Sequence, residues 1–286
     1  MKVYAISDLH LGVPGNRQAL AELPFYPEDW LIVAGDVGET TTHLHYALSI
    51  LTARFARVIW TPGNHDLWTI PSSGEKALAG EEKYQDLVAI CRSYNVATPE
   101  DPYPVWPANN GSTVLAPLFL LYDYSFRPAH VPMEQAVAWA EESGVVCNDE
   151  FILHPTPYSS RSEWCRVRTA YTEKRLASLP PTSSIVLINH FPLRQEFARV
   201  KNIPRFSLWC GTTRTENWHT RFPVSVVVYG HVHVRATDYR DGVRFEEVSL
   251  GYKQNWRQEK GVRAYLREIL PGPQAPGNET ETQWYR

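Results

Sequence analysis

Short apolar runs recur along the chain, and each is followed at once by polar residues. Five of these runs are rich in β-branched side chains and are only four to six residues long, which is typical of buried strands. They cover residues 3–7, 30–34, 57–60, 185–188 and 224–229. The pattern therefore predicts five strands that each end at a polar cluster.

The polar clusters carry oxygen and nitrogen donors that suit divalent metals. They read Asp8-Leu9-His10, Gly35-Asp36, Gly63-Asn64-His65-Asp66, Asn189-His190 and Gly230-His231-Val232-His233. In open α/β sheets, ligands bind beyond the carboxyl ends of the strands. Clusters that are distant in sequence can therefore form one site, with seven donors for a two-metal centre and one further histidine.

The segments between these strands show both helical and strand patterns. Apolar residues recur at helical spacing from 44 to 51, behind N-cap candidates at 40–42, and again from 84 to 91. A further strand is predicted at 114–122 and a further helix at 160–179. Asp241-Gly242 separates two apolar runs at 234–239 and 243–248, which predicts a hairpin. The chain as a whole is therefore expected to be an α/β protein.

Length and composition indicate a single large domain. At 286 residues and 43% hydrophobic, the chain can bury a sizeable core, and no Gly/Ser linker divides it. We expect one domain over residues 1–270, with an insertion at about 126–158, where prolines interrupt the pattern. Residues 271–286 are rich in proline and glycine and lack periodicity, so we expect a disordered tail there.

Charge and cysteine content limit the expected partners and compartment. With 28 basic and 31 acidic residues, the chain has no bulk attraction for nucleic acid or anionic membranes, so we expect neither as a partner. The four cysteines are scattered without a C-x-x-C pair, which favours free thiols in a reducing compartment. Neither a signal peptide nor a membrane-spanning apolar run is visible. We therefore expect a cytoplasmic protein, with its oligomeric state left open.

The ordered series D-x-H, G-D, G-N-H-D, N-H and G-H-x-H resembles the calcineurin-like metallophosphoesterase superfamily, in its bacterial-type dinuclear form. All five signatures occur in order between Asp8 and His233, and each follows a predicted strand. One signature alone would be weak, but five in order are specific. The resemblance implies a four-layer α/β/β/α sandwich with two central mixed β-sheets and a dinuclear metal centre at the strand ends.

The resemblance also implies a role for each donor. Asp8, His10 and His233 would hold one metal, and Asn64, His190 and His231 would hold the other. Asp36 would bridge the two. This mixed ligand set suits Mn, Fe, Zn or Co, and Mn is our choice for loading the protein. Two such cations can lower the pKa of a shared water and clamp a phosphoryl group from both sides.

The remaining motif histidine, His65, is predicted to act as an acid that protonates the leaving alkoxide. The family often has an aspartate three positions after the bridging aspartate, where it orients this histidine, and the chain has Glu39 there. Asp66 is the alternative partner of His65, or it caps the following turn. The sequence leaves the choice between Glu39 and Asp66 open.

Candidates for substrate binding come from outside the motifs. The segment 191–222 is rich in arginine on a chain that is acidic overall, and it joins two ligand-bearing strands. We predict that Arg205 and Arg214 contact phosphate or a second anionic group. Tyr124 and Trp209 are predicted to provide aromatic contacts to the substrate. A solvated loop and simple packing are the alternative interpretations of these residues.

The function predicted from the sequence is metal-dependent phosphate-ester hydrolysis, in which a metal-bridged hydroxide attacks phosphorus. We expect a phosphomonoesterase with a small phosphorylated metabolite as its partner, because the insertion and the basic segment could together cap the site. The alternative is a phosphodiesterase acting on cyclic nucleotides or nucleic-acid ends. A non-catalytic interaction scaffold is a remote third, since no ligand position is missing. A protein serine/threonine phosphatase is disfavoured, because Pro62 precedes Gly63 and Asp66 follows His65.

Overall fold

The computed structural model describes residues 1–70, 77–108, 111–273 and 281–285. Its strands are β1 (Val3–Ile6), β2 (Tyr26–Ala34), β3 (Phe55–Thr61), β4 (Val105–Ala108), β5 (Gly111–Pro117), β6 (Ser184–Ile188), β7 (Val224–Tyr229), β8 (Ala236–Arg240), β9 (Val243–Glu247), β10 (Arg267–Leu270) and β11 (Gln283–Trp284). They form two sheets, in the orders β10-β1-β2-β3 and β11-β8-β9-β7-β6-β5-β4.

Both sheets are mixed. In the smaller sheet, β1, β2 and β3 run parallel, and β10 is antiparallel to β1. In the larger sheet, β5, β6, β7 and β9 run parallel, while β4, β8 and β11 are antiparallel to their neighbours. The parallel strands that precede the predicted motifs therefore have their carboxyl ends along the same edge of each sheet.

The helices are α1 (Asn16–Ala21), α2 (Thr41–Arg54), α3 (Asn64–Leu67), α4 (Gly80–Ser93), α5 (Ala136–Glu141), α6 (Asp149–Ile152), α7 (Arg161–Ala177) and α8 (Trp218–Arg221). Short 3₁₀ turns lie at Met133–Gln135, Gln195–Phe197, Pro204–Trp209, Thr213–Thr215, Lys253–Asn255, Gln258–Lys260 and Val262–Tyr265. Thr40 caps α2, because its Oγ1 accepts a hydrogen bond from the His43 amide over 3.3 Å. Within the described residues, no helix is long and apolar enough to span a bilayer.

The alternation of side chains along the strands sorts the core into layers. In β2, Leu31 and Val33 join the cluster that contains the apolar face of α2, whereas Ile32 joins a cluster between the sheets. In β6, Val186 faces that same inter-sheet cluster, and Leu187 faces an outer cluster with residues of α7 and α8. The result is the four-layer α/β/β/α sandwich with two central mixed sheets, and the predicted fold is confirmed.

The strand predicted at 114–122 is shorter than expected. β5 ends at Pro117, where it pairs with Ile188 at the carboxyl end of β6. Residues 118–121 are nevertheless buried, because they alternate between two core clusters, Leu118 and Leu120 in one and Phe119 and Leu121 in the other. Burial without strand pairing explains why the apolar run resembled a strand.

Regular elements occur in both the proline-rich segment 126–158 and the C-terminal segment. The segment 126–158 contains α5 and α6, and its residues Ala136, Ala140 and Leu153 are buried in the main core. At the other end, the expected disordered tail needs correction, because Gln283 and Trp284 form β11, which pairs with β8. Residues 274–280 and 286 of that tail lie outside the described residues.

Candidate metal centre

The backbone at the strand ends adopts conformations that ordinary residues rarely take. Asp8, His10, Asp36, His231 and His233 all have positive φ, between 41° and 70°. Each such conformation costs on the order of 1–3 kcal/mol and persists where the surrounding structure imposes it. All five residues belong to the predicted motifs, so the strained backbone is concentrated where the donors converge.

The first group of donors combines Asp8, His10 and His233. His233 Nε2 lies 2.9 Å from Asp8 Oδ1 and 3.3 Å from His10 Nε2. The other oxygen of Asp8 accepts hydrogen bonds from Ser7 Oγ and Ser249 Oγ over 2.6 and 2.7 Å. These two serines hold the carboxylate so that Oδ1 faces the histidines.

The second group combines Asp36, His190 and His231. Asp36 Oδ2 lies 3.3 Å from His190 Nε2 and 4.0 Å from His10 Nε2, so this carboxylate stands between the two groups. The donor atoms of Asp36, His190 and His231 all lie within 4.8 Å of one another, as do those of the first group. The structure therefore places Asp36 where a bridging ligand would lie.

Asn64 is oriented by a residue that the sequence did not single out. Its amide nitrogen donates to Asp149 Oδ1 over 3.0 Å, and Trp68 Nε1 donates to the same oxygen over 2.6 Å. Tyr122 donates its hydroxyl to Asp149 Oδ2 over 3.1 Å. Asp149 is fully buried in α6, and its hydrogen bond turns the amide oxygen of Asn64 away from α6.

Several donor atoms of the site are buried and have no hydrogen-bond partner among the described residues. They include Asn64 Oδ1, His190 Nε2 and His231 Nε2. Buried polar atoms are rarely left unpaired in native proteins. His190 Nδ1 lies 2.9 Å from the Ala34 carbonyl and must donate to it, so Nε2 is the nitrogen that carries the lone pair when the ring is neutral. These atoms are the kind of donor that a divalent metal requires, and the site fits such an ion.

The electrostatics of the site agree with this fit. Burial opposes the ionisation of Asp36, but the positive charges that His190 and His65 can carry together outweigh it and lower the pKa of Asp36. Burial also opposes protonation of His190, yet the charges of Asp36 and Asp8 raise its pKa to about 10. Burial and the nearby His190 lower the pKa of His231 to about 3. A divalent cation would supply the positive charge that the carboxylates otherwise draw from protonated imidazole.

His65 lies beside these donors, against Glu39. Its Nε2 is 3.9 Å from Asp36 Oδ2, and its Nδ1 is 3.5 Å from Glu39 Oε1. The imidazoles of His43 and His65, 3.3 and 3.5 Å from the carboxylate oxygens, hold the pKa of Glu39 well below its usual range. Glu39 thus reaches His65 in spite of the extra methylene.

The carboxylate of Asp66 accepts hydrogen bonds from the backbone of two loops. Its Oδ2 accepts hydrogen bonds from the amides of Asp36 and Gly63 over 2.9 and 2.8 Å, and Oδ1 accepts from Val37 over 3.0 Å. These contacts favour the capping alternative for Asp66 over a role as the partner of His65. Its carboxylate ties the loop after β2 to the loop after β3, which sets the distance between Asp36 and Asn64.

The chain matches the family of calcineurin-like phosphoesterases over residues 1–235. It belongs to the calcineurin-like phosphoesterases. It is 48% identical over 278 residues to the [acyl-carrier-protein] phosphodiesterase PptH of Mycobacterium tuberculosis (strain ATCC 25618 / H37Rv), and the match covers 96% of this chain and 85% of the relative. The crystal structure of the phosphopantetheinyl hydrolase PptH from the same organism superimposes with a TM-score of 0.90 at 47% identity, covering 96% of this chain and 98% of that chain.

These findings confirm that this calcineurin-like phosphoesterase is an enzyme that hydrolyses phosphate esters with divalent metals. They contradict one prediction. The expected partner, a small phosphorylated metabolite, is wrong, because the relative is named for a substrate carried on a protein. The findings also favour the phosphodiesterase alternative over the monoesterase that was our first choice.

A cavity of about 310 Å³ opens over the metal centre of this phosphoesterase. Its floor includes His10, Asp36 and Asn64, and its apolar wall is formed by residues that the sequence did not single out. These are Trp68, Val146, Val200, Ile203, Phe206 and Val232. Tyr252 completes the wall and stacks on His10 with ring centroids 4.4 Å apart. The segments 191–222 and 126–158 therefore both reach the site, the first through apolar residues and the second through Val146 together with Asn148 and Asp149.

None of the four residues predicted to contact substrate lines this cavity, and each has a partner within the protein. Arg205 donates to the Trp139 carbonyl and lies 3.1 Å from Glu142 Oε2. Arg214 lies 3.4 Å from Asp123 Oδ2, outside the walls of the cavity. Tyr124 and Trp209 both donate to Glu150 Oε1, over 2.8 and 2.7 Å.

Proposed function

We propose that this chain hydrolyses the phosphodiester that joins a phosphopantetheinyl arm to a hydroxyl group of acyl carrier protein. The observation that carries the proposal is its 48% identity, over 96% of the chain, to an acyl-carrier-protein phosphodiesterase. The TM-score of 0.90 to a phosphopantetheinyl hydrolase supports it independently of any single motif. This protein-linked diester takes the place of the two substrates considered from the sequence, cyclic nucleotides and nucleic-acid ends.

The shape of the cavity is compatible with such a substrate. At about 310 Å³, the cavity lies at the lower end of the range for pockets that hold small organic groups. The arm beyond the phosphate is an uncharged chain with methyl and amide groups, and the wall of Val146, Val200, Ile203 and Phe206 offers it apolar contacts. The exposed fractions of Val146 and Ile203 are 55% and 43%, so the mouth is open to a protein-sized partner.

The residues that would hold two metals are those in the two donor groups. Asp8, His10 and His233 would bind one ion, Asn64, His190 and His231 the other, and Asp36 would contact both. When bound, the ions neutralise the phosphoryl oxygens and make water nucleophilic at neutral pH. Ser7, Ser249 and Asp149 hold the ligand side chains in position by the hydrogen bonds described above.

His65 would handle the proton of the leaving group. Hydrolysis adds the oxygen of water to phosphorus and releases an alkoxide, which must gain a proton. Glu39, 3.5 Å from Nδ1, orients the ring so that Nε2 points toward Asp36 and the reaction centre. Stacking on Trp68, with centroids 3.6 Å apart, limits rotation of the ring.

The proposal is tested by incubating the Mn-loaded protein with phosphopantetheinylated carrier protein and following the intact mass of the carrier. We expect loss of the whole phosphopantetheinyl group and appearance of the unmodified carrier. A minimal aryl phosphodiester and an aryl phosphomonoester serve as comparisons. Hydrolysis of the aryl diester without any change in the carrier would retain a phosphodiesterase and reject the carrier substrate.

A further inference from the structure

A second cavity lies beside the metal centre. Its volume is about 540 Å³, and it shares His233 with the smaller cavity over the metals. Its walls come from distant segments, and they include Lys201, Arg235, Arg257, Tyr265 and Trp284. We call this space the basic cavity, because Lys201, Arg235 and Arg257 line it and none of its described lining residues is acidic.

Two of these cations are available to a ligand. Lys201 and Arg257 are exposed, and among the described residues neither has a carboxylate within 4.0 Å of its charged group. Lys201 Nζ lies 4.9 Å from the ring centroid of Trp284, which fixes its position without neutralising it. Within the part of the chain that the structure describes, the basic cavity therefore presents two positive charges to solvent without a paired carboxylate.

Arg235 differs from these two cations, because the protein already uses its donors. Its Nη1 donates to the carbonyls of Ser249 and Leu250 over 3.1 and 3.0 Å, and Nη2 donates to the Asn255 carbonyl. The side chain is buried and joins the end of β9 to the segment that follows. Arg235 thus shapes the cavity and leaves ligand binding to Lys201 and Arg257.

The segments that carry Lys201 and Arg257 are each anchored by a residue that shortly precedes the cation. Two residues before Lys201, Arg199 makes paired hydrogen bonds of 2.9 Å to both oxygens of Asp238. Next to Arg257, Trp256 is buried and donates its indole nitrogen to Asn16 Oδ1 over 3.3 Å. Both cations therefore project from fixed backbone, which reduces the entropy cost of binding.

The basic cavity is close enough to the metals for one substrate to occupy both. Val200 and Ile203, which flank Lys201, belong to the wall of the metal cavity. On the other side, Tyr252 stacks on His10 and begins the segment that leads to Arg257. An anionic group in the basic cavity would therefore lie next to the phosphoryl group rather than at a remote site.

We propose that the basic cavity binds carboxylate side chains of the carrier protein that lie next to its modified hydroxyl group. This inference rests on the proposed function. The phosphopantetheinyl arm carries no second charge for these cations, and the cavity opens to solvent, as a docking protein requires. Opposite charges at such a rim mainly increase the association rate, so the effect should appear in kcat/KM and should weaken with salt.

The test compares Lys201→Glu and Arg257→Glu with Lys174→Glu, an exposed lysine of α7 that lines neither cavity. With phosphopantetheinylated carrier protein at low salt, each cavity variant should lose about fivefold in kcat/KM, and the loss should shrink at high salt. Hydrolysis of a minimal aryl phosphodiester should stay at the wild-type rate in all three variants. Lys174→Glu should match the wild type on both substrates.

Each other outcome overturns the inference. Equal losses on the carrier and on the aryl diester would mean damage to the metal site, and unchanged rates on the carrier would leave the cavity without this partner. A loss seen with a small diester that bears a second phosphate, but not with the carrier, would assign the cavity to small anions. Wild-type protein that never releases the arm would reject the proposed function and this inference together.

Discussion

The side-chain amide of Asn64 donates a hydrogen bond to Asp149 Oδ1 over 3.0 Å. An amide has one oxygen and one nitrogen, so a partner that accepts from the nitrogen decides which atom faces the metal centre. Trp68 and Tyr122 donate to the same carboxylate and hold it in place. The orientation of a metal ligand is thus set by a short helix in the segment between β5 and β6.

Replacing Asp149 should weaken metal binding without removing a ligand. In Asp149→Ala, the Asn64 amide can rotate, and we expect the affinity of the adjacent metal to fall about 10- to 100-fold. Asp149→Asn should retain most of the affinity, because its amide oxygen can still accept from Asn64. Metal content after dialysis against graded chelator measures both variants. Equal metal loss in the two variants would indicate a general packing defect, and unchanged affinity in Asp149→Ala would remove the orienting role.

Asp36→Asn should abolish turnover and loosen at least one metal. The substitution removes the charge that stands between the two donor groups, while the Asn oxygen can still accept the hydrogen bond that the His65 amide donates over 2.9 Å. The fold should therefore persist. Asp101→Asn, which changes the same charge away from both cavities, is the control. Two metals bound at full affinity with a normal rate would exclude Asp36 from bridging.

His65→Asn should keep its metals and lose rate. General acid catalysis contributes about 10²- to 10⁴-fold, so we expect a loss in that range on the carrier substrate. The loss should be much smaller on an aryl diester, whose leaving group needs no proton. The measurement compares the variant with the wild type in its rates on both substrates and in its metal content. A loss of metal from the variant would show instead that His65 is a ligand.

Arg205 should affect stability rather than substrate binding. Its guanidinium lies 4.6 Å from the Trp139 ring centroid and donates to the Trp139 carbonyl, so it connects the Pro204–Trp209 turn to α5. We expect Arg205→Ala to lower the free energy of unfolding by about 1 kcal/mol. Urea titration measures this value. Arg214→Ala, whose side chain is half exposed, should change it less, and a raised KM in Arg205→Ala with normal stability would contradict this assignment.

The strands that precede the donors could be predicted from local pattern, whereas the four layers were implied by the resemblance to the family. Each motif immediately follows an apolar run, and parallel strands bring their carboxyl ends together whatever the loop lengths. The proximity of Asp36 to His190 could be predicted without any knowledge of side-chain packing. The ends of elements were harder to predict, since the buried residues 118–121 have an apolar pattern but no strand partner.

Side-chain directions outside the motifs could not be predicted in this way. Trp209 and Tyr124 are aromatic residues that were predicted to contact a ligand. In the structure, both donate hydrogen bonds to Glu150. Asp149 lies in a proline-punctuated segment without periodicity, so nothing in the sequence marks it as buried. Its role depends on α6 packing beside Trp68, which is a tertiary contact.

The most direct test of the account is hydrolysis of phosphopantetheinylated carrier protein in water enriched in heavy oxygen. Attack of water at phosphorus with loss of the carrier hydroxyl predicts one labelled oxygen in the phosphate of the released phosphopantetheine and an unlabelled carrier, as read by mass spectrometry of both products. Label in the carrier, or a carrier that keeps its arm in the presence of Mn-loaded protein, would contradict the account.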